Sequence, residues 1–494
     1  MPKIILLLFF FACMYFNPAI AEVITYKQPD SKMTGHNYKV QVREKSGNWL
    51  NVGVYQANVA YKLDAQHILK KTSFSYFDCS DSVNVRVVVN YTEVKTATVR
   101  PSGSGIIPKI SGNVIEFSMK AADFISLEIN GDIFSNLQVF ANTIEKDKPK
   151  PGTPNVVYYG PGVHNIGRVN VASGKTIYIA GGAIVQGDFI LDHVNNVTIR
   201  GRGILTQYMV QQDSVAIPNN GTPSKTRGDQ LLIDFCENIA VNGIIEVPKG
   251  YSALIGQSKN IRISDFKAFS SSGNADGIDI FCSNDVRINH IFMRNSDDCI
   301  AIYGHRWNYY GNTTGVQVDN AILWADVAHP VLIGTHGDSN TPDTLEHIRF
   351  RNISILDQHE NQLDYQGCMA LNAGDSNLLR DISFDHVNIA DIRKGQLFNL
   401  RVMFNRKYNT SAGAGIENIK FSNVTYHGTH AGTSIIMGYD ELHGIKNIEF
   451  ENLKINGTII YDTMKGKPGF YKTGDMANIF IGEHVNDIRF TSTN

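Results

Sequence analysis

The sequence predicts an all-β protein, an N-terminal β-sandwich followed by a long parallel β-helix. Three observations predict it: alternating strand patterns up to about residue 144, a charged and proline-rich break, and an imperfect repeat filling the remainder of the 494 residues. A chain this long exceeds one ordinary core but suits a small domain joined to a solenoid. Charged residues make up 19% and the formal net charge is −2. Bulk electrostatics therefore give no reason to expect nucleic acid or an anionic membrane surface as a partner, and any anionic ligand would have to be recognised locally.

Residues 1–21 read as an export signal. Lys3 precedes the apolar run from Ile4 to Ala12, and Ala19-Ile20-Ala21 supplies a small-x-small cleavage pattern before Glu22. The run is short for the roughly 20 residues that span a bilayer, so no transmembrane span is expected. A secreted or periplasmic protein follows. Lipid attachment through Cys13 is the weaker alternative, because Met14-Tyr15-Phe16 continues the apolar run. The other cysteines, Cys79, Cys236, Cys282, Cys299 and Cys368, are odd in number and lack CxxC spacing, which argues against a disulfide framework and a zinc site. Cys282 and Cys299 are expected to fill the solenoid interior as small hydrophobes.

Residues 22–144 are expected to form the sandwich. Tyr38-Lys39-Val40-Gln41-Val42, Ser82-Val83-Asn84-Val85-Arg86-Val87 and Phe124-Ile125-Ser126-Leu127-Glu128-Ile129 alternate as half-buried strands do, and Asn130-Gly131 closes the last with a turn. The sandwich carries no catalytic constellation, which suggests a packing or positioning role. Residues 145–154, rich in lysine and proline, read as a linker.

From residue 155 to 494 a β-branched couplet flanked by Asn or Asp recurs. It is seen in Asn196-Val197-Thr198-Ile199, Asn238-Ile239-Ala240-Val241, Asn260-Ile261-Arg262-Ile263 and Asp285-Val286-Arg287-Ile288, and continues to Asp487-Ile488-Arg489-Phe490. Intervals vary from 22 to 42 residues, so strands and corners repeat while variable loops leave one side. A parallel β-helix fits because each coil stacks inward Ile and Val on the next and pairs its backbone with both neighbours. A leucine-rich repeat would need regular Leu and helix signals, which are missing.

Two aspartate signals stand one coil apart, Asn274-Ala275-Asp276-Gly277-Ile278-Asp279-Ile280 and Ser296-Asp297-Asp298-Cys299-Ile300-Ala301-Ile302. With rungs about 4.8 Å apart, aligning Ile278 with Ile300 stacks Asp276 beneath Asp298. Aligning Val331 with Ile300 in the next coil sets His329 above, with Asp297 at the adjoining turn. Gathering three carboxylates costs repulsion and suggests a use. Glycosidic hydrolysis needs a carboxylic acid for the leaving oxygen and a carboxylate to activate water, and crowding lets both protonation states coexist. Asp near β-turns also bonds to backbone for purely structural reasons.

The Asn-x-Asp, Asp-Asp and following His pattern resembles the polygalacturonases of glycoside hydrolase family 28. The layout of the mature chain, with Glu128 to Asn142 and Tyr158-Tyr159-Gly160-Pro161-Gly162-Val163-His164, also resembles the dextranases and isopullulanases of glycoside hydrolase family 49. The resemblance implies a right-handed, pectin-lyase-like β-helix that inverts the anomeric centre. It also implies Asp297 as the acid, with Asp276 and Asp298 positioning or deprotonating water, and no metal or cofactor. The expected partner is a polysaccharide or oligosaccharide substrate.

Departures bear on substrate. Family 28 carries Gly-His-Gly where this chain has Ala328-His329-Pro330, so only the His transfers. It also carries Arg-Ile-Lys, whose cations grip a uronate, where Gly367-Cys368-Met369-Ala370-Leu371-Asn372 offers none, although Arg401 could supply one cation. That shifts weight toward a neutral α-glucan or another differently charged polysaccharide. Trp307, Tyr309 and Tyr310, in the insertion after Asp298, suit sugar faces, or pack their own loop. Asn312-Thr313-Thr314 is a glycosylation sequon that matters only in a glycosylating host. Two competing classes remain, a calcium-dependent polysaccharide lyase and a non-catalytic carbohydrate-binding helix, although no Lys stands near the aspartates to serve a lyase as base.

Overall fold

The computed structural model describes residues 22–45, 47–63, 66–207 and 229–493. Residues 1–21, expected to be an export signal, and Cys13 among them, lie outside the described residues. The first part of the chain forms two β-sheets. One orders Val23–Ile24, Gln66–Cys79, Asp132–Thr143, Phe124–Ile129 and Ala97–Arg100, with Tyr55–Leu63 pairing to Gln66–Cys79. The other orders Leu50–Val52, Tyr38–Arg43, Val83–Val89, Val114–Met119 and Lys109–Ser111. Val40, Val42, Val85, Val87 and Ile115 from the second sheet pack against Ile125, Leu127, Leu137 and Val139 from the first, as alternating strands require. No strand forms between Thr143 and Val156.

From Val156–Tyr159 to Val485–Thr491 the described residues stack 27 strands in one sheet, parallel except for a late hairpin between Leu453–Ile455 and Thr458–Ile460. The repeat seen in the sequence is its register. Val197 pairs with Ile239, Ile239 with Ile261, Ile261 with Val286 and Val286 with Val316. The flanking Asn or Asp occupies the left-handed region at each corner, with φ of 55° at Asn196, 59° at Asn238, 55° at Asn260 and 52° at Asp285. Asn and Asp tolerate that conformation better than other residues with side chains. Their side chains also bond between coils: Asn238 donates to Asn196 (3.2 Å), Asn418 to Asp381 (3.0 Å) and Asn447 to Asn418 (2.8 Å). One rule therefore turns each corner and satisfies its polar groups.

Inward Ile and Val fill the interior, and toward the C-terminus Phe350, Phe384, Phe421, Phe450 and Phe490 stack with ring centroids 4.8–5.3 Å apart. Cys299 lies in this interior, as expected. Cys282 does not: it takes a corner with φ 45° and packs outside the coil with Phe281 and Tyr303, because the left-handed turn two places after Ile280 ends the inward alternation. The described cysteines are all free and buried.

The sandwich is fixed to one side of the helix. Tyr55, Phe74, Tyr76 and Phe140 pack on Ile184, Ile204, Ile245 and Phe292 from the early coils. Arg202 meets Asp78 at 3.1 Å with both side chains buried, and Lys267 Nζ donates to Asn142 Oδ1 at 2.6 Å.

Candidate active site

Four successive rungs build the site. Ile278–Phe281 pairs with Ile300–Tyr303, which pairs with Val331–Gly334, which pairs with Met369–Ala373. Ile278 faces Ile300 and Ile300 faces Val331, so the residue two places ahead in each coil shares a column: Asp276, Asp298, His329. The Gly277 N–H donates to the Asp298 carbonyl at 2.7 Å. A methyl group at Gly277 would run into the Cys299 carbonyl, so glycine permits the close approach of these two coils.

Asp298 is the best-held carboxylate. Its Oδ1 receives the His329 backbone N–H (3.1 Å) and lies 2.7 Å from His329 Nδ1, while Oδ2 accepts from the Tyr303 hydroxyl (3.3 Å). His329 Nε2 lies 2.6 Å from the Tyr365 carbonyl, and the Tyr365 ring meets the imidazole edge to face at 4.8 Å. Both ring nitrogens therefore face acceptors. The buried imidazole loses hydration, yet the charge and hydrogen bond of Asp298 outweigh that loss and raise its pKa. Asp297, at the adjoining turn, is more exposed and accepts the Asn274 N–H on Oδ2 at 3.1 Å.

The carboxylates are electrostatically crowded. Loss of hydration and then the charge of Asp298 push Asp297 up to about 7, against a partial opposing pull from His329. Burial, followed by repulsion from Asp279, Asp297 and Asp298, lifts Asp276 well above the usual range. A proton is thus retained at neutral pH beside a carboxylate held by a histidine and a tyrosine, the pairing that acid and base roles require.

The groove-lining residues divide. Trp307 is partly exposed, with Arg306 over its ring at 4.4 Å, and Tyr310 is 62% exposed. Tyr309 is completely buried, its ring against Gly256 and 5.7 Å from Phe281. The expectation that Tyr309 offers a sugar platform is therefore corrected: the ring fills space left by a glycine and presents no face to solvent. Arg401 lies in the column of Tyr303 and Asn372, one rung beyond Asn372, and its Nη1 donates to the Asp364 carbonyl at 3.3 Å. Ala370 and Asn372 do occupy the rung after His329, without a cation. Sequence reasoning missed Tyr303, Tyr365, Asp279 and Glu360 as neighbours of the site. Tyr303 and Asp279 could have been found as outward positions of the two aligned strands. Tyr365 and Glu360 belong to an insertion that carries no repeat signal.

The model of the glycosyl hydrolases family 28 matches residues 186–468, more than half of the chain. The chain belongs to that family. A polygalacturonase from Juniperus ashei is 23% identical over 247 residues, 48% of this chain and 44% of that protein. A probable endopolygalacturonase D from Emericella nidulans is 26% identical over 162 residues, 32% of this chain and 28% of its own length. The chain thus spans about half the length of these curated relatives, or less. Among solved structures, Dex49A from Penicillium minioluteum superposes with a TM-score of 0.65 at 15% identity, covering 94% of this chain and 96% of its own. A family 28 exopolygalacturonase from Yersinia enterocolitica superposes with a TM-score of 0.51 at 12% identity, covering 83% and 96%. At such identities the superpositions show the fold alone, a pectin-lyase-like parallel β-helix.

Proposed function

We propose that the protein is a secreted, inverting glycoside hydrolase that cleaves α-glycosidic bonds in a polysaccharide. The observation that carries this reading is the triple register of Asp276, Asp298 and His329 with Asp297 beside them. Asp297 holds the proton to be delivered to the glycosidic oxygen. Asp298, oriented by His329 and Tyr303, takes a proton from water as that water attacks the anomeric carbon from the opposite face, and Asp276 helps to place it. The leaving sugar departs with Asp297's proton, and the products carry the inverted configuration. Trp307 and Tyr310 stand where sugar rings would approach, and Arg401 marks the groove three rungs beyond Tyr303, about 14 Å along the axis.

Family membership supports the reaction class, and the aspartate arrangement supports inversion. The apolar run after Lys3 and the Ala19-Ile20-Ala21 pattern, read as an export signal, support secretion. The experiment is NMR observation of the first-formed reducing sugar on a glycan the protein cleaves. An anomer opposite to that of the substrate is expected, and a retained anomer would refute the proposed roles of Asp276 and Asp298.

A further inference from the structure

The outward column that begins at Tyr303 runs on past the aspartates. The Tyr303 hydroxyl reaches Asp298 (3.3 Å), so this column faces the cleft. Ile302 pairs with Ile333, Gly334 with Asn372, Asn372 with Arg401 and Arg401 with Met437. Arg401 and Met437 therefore stand three and four rungs beyond Tyr303, about 14 and 19 Å along the axis. There a cavity of about 440 Å³ opens on the surface, a size typical of small-ligand sites. Phe404 and Tyr439 line it with rings that are 37% and 47% exposed. Both loops are bonded internally. Tyr408 N–H donates to the Asn405 carbonyl (2.8 Å), Asn405 N–H to Asn409 Oδ1 (3.3 Å) and Tyr439 N–H to the His443 carbonyl (2.9 Å). The loop of Phe404 is also fixed to the insertion before it, where Tyr408 stacks on Tyr365 with ring centroids 4.7 Å apart. Rings already held in place bind a ligand at little ordering cost.

The cavity and the aspartate cluster share a wall. Arg401 Nη1 donates to the Asp364 carbonyl (3.3 Å), and the next carbonyl in the chain, that of Tyr365, faces His329 Nε2 (2.6 Å). One insertion thus borders both places. The charged groups of the cavity lining are two guanidinium groups, Arg401 and Arg406, and two carboxylates, Asp364 and Glu483. Beside them in sequence, Lys407 bonds Gln362 (3.0 Å) and Asp440 bonds His443 (2.7 Å). Equal numbers of the two signs exert no net pull on an anionic ligand. Donors and acceptors set beside exposed ring faces suit the hydroxyls and apolar faces of an uncharged sugar.

We infer that Phe404 and Tyr439 form a second sugar-binding subsite of the cleft, which grips an uncharged polysaccharide by its ring faces about 14–19 Å from the carboxylates. This rests on reading the aspartate column as the cleavage site, and it names the substrate as an uncharged chain long enough to bridge the two. Affinity electrophoresis tests it with the mature chain carrying Asp297→Asn, which stops cleavage, in gels containing dextran, pullulan or polygalacturonate. Retardation by dextran or pullulan is expected. Adding Phe404→Ala and Tyr439→Ala together should weaken that binding about tenfold, and Tyr439→Ala alone about threefold. Tyr439→Phe, which keeps a ring, should keep the retardation. Both rings are exposed, so thermal unfolding should move little, and the single variant serves if the double one fails to fold. Retardation by none of the three glycans, by polygalacturonate alone, or to an extent untouched by the alanine substitutions would overturn the inference. Untouched retardation beside intact cleavage by the parent protein would sink the subsite and leave the proposed reaction standing. Retardation that weakens as expected, in a protein whose parent cleaves no glycan, would count against the reaction alone.

Discussion

Replacing Asp297 by Asn should stabilise the fold at neutral pH while abolishing activity. The carboxyl rises from its ordinary 3.8 to about 7 because it is taken from water and set beside Asp298. Three units correspond to about 4 kcal/mol between the two protonation states. Asp297 is partly solvent-exposed, so screening and relaxation reduce the expected effect to about 2 kcal/mol. The sign follows from the folded value lying above the unfolded one. Between about pH 4 and 7 the folded chain holds the extra proton, and its stability falls as pH rises through that window. The Asn variant lacks this loss, so thermal unfolding of the two proteins should coincide near pH 4 and separate by about 2 kcal/mol near pH 8. The same substitution removes the proton donor, for which a fall of about 10²–10⁴ in kcat is expected. Parallel stability curves from pH 4 to 8, or activity retained within tenfold, would refute the electrostatic reasoning.

Glu246 gives a second pH test. It is fully buried, shares a column with the interior residues Leu205 and Ala268, and its pKa is raised well above the usual value by burial and then by Asp188. Stability from its neutral form is lost as pH rises above the unfolded value, so Glu246→Met should stabilise by about 1–3 kcal/mol at pH 8 and much less at pH 4, read by denaturant unfolding. Tyr309→Ala should cost about 3–5 kcal/mol as a core aromatic, whereas Tyr310→Ala should leave unfolding unchanged and raise KM if its exposed ring meets sugar. Chelation with EDTA should leave reducing-end release unaltered, because the proposed step runs on carboxyl groups alone. Loss of activity restored by Ca²⁺, with unsaturated products, would favour a lyase.

The β-helix was legible because its corner residue serves two physical ends. Asn196, Asn238, Asn260 and Asp285 recur since each must adopt positive φ and leave Val or Ile pointing inward two strand positions at a time. That register carried the column of Asp276, Asp298 and His329 with it, because parallel pairing admits no slip without turning the core outward. Loops obeyed no such rule. Tyr309 and Tyr310 are adjacent aromatics in one insertion, yet one packs on Gly256 and the other faces solvent, a difference set by a glycine two coils away. Glu360 was invisible for the same reason: its place beside His329 depends on where an insertion folds back, and the repeat says nothing about that. Cys282 was misplaced because it keeps the spacing of the inward Ile278 and Ile280, and only the left-handed corner takes it out of the interior.

The most direct test measures reducing ends released from dextran, pullulan and polygalacturonate by the purified mature protein and by its Asp297→Asn variant. Release from one of these glycans that disappears in the variant is the predicted result. Equal release by both proteins, or release by neither while both remain folded, would contradict the assignment of the aspartate cluster as a glycosidic active site.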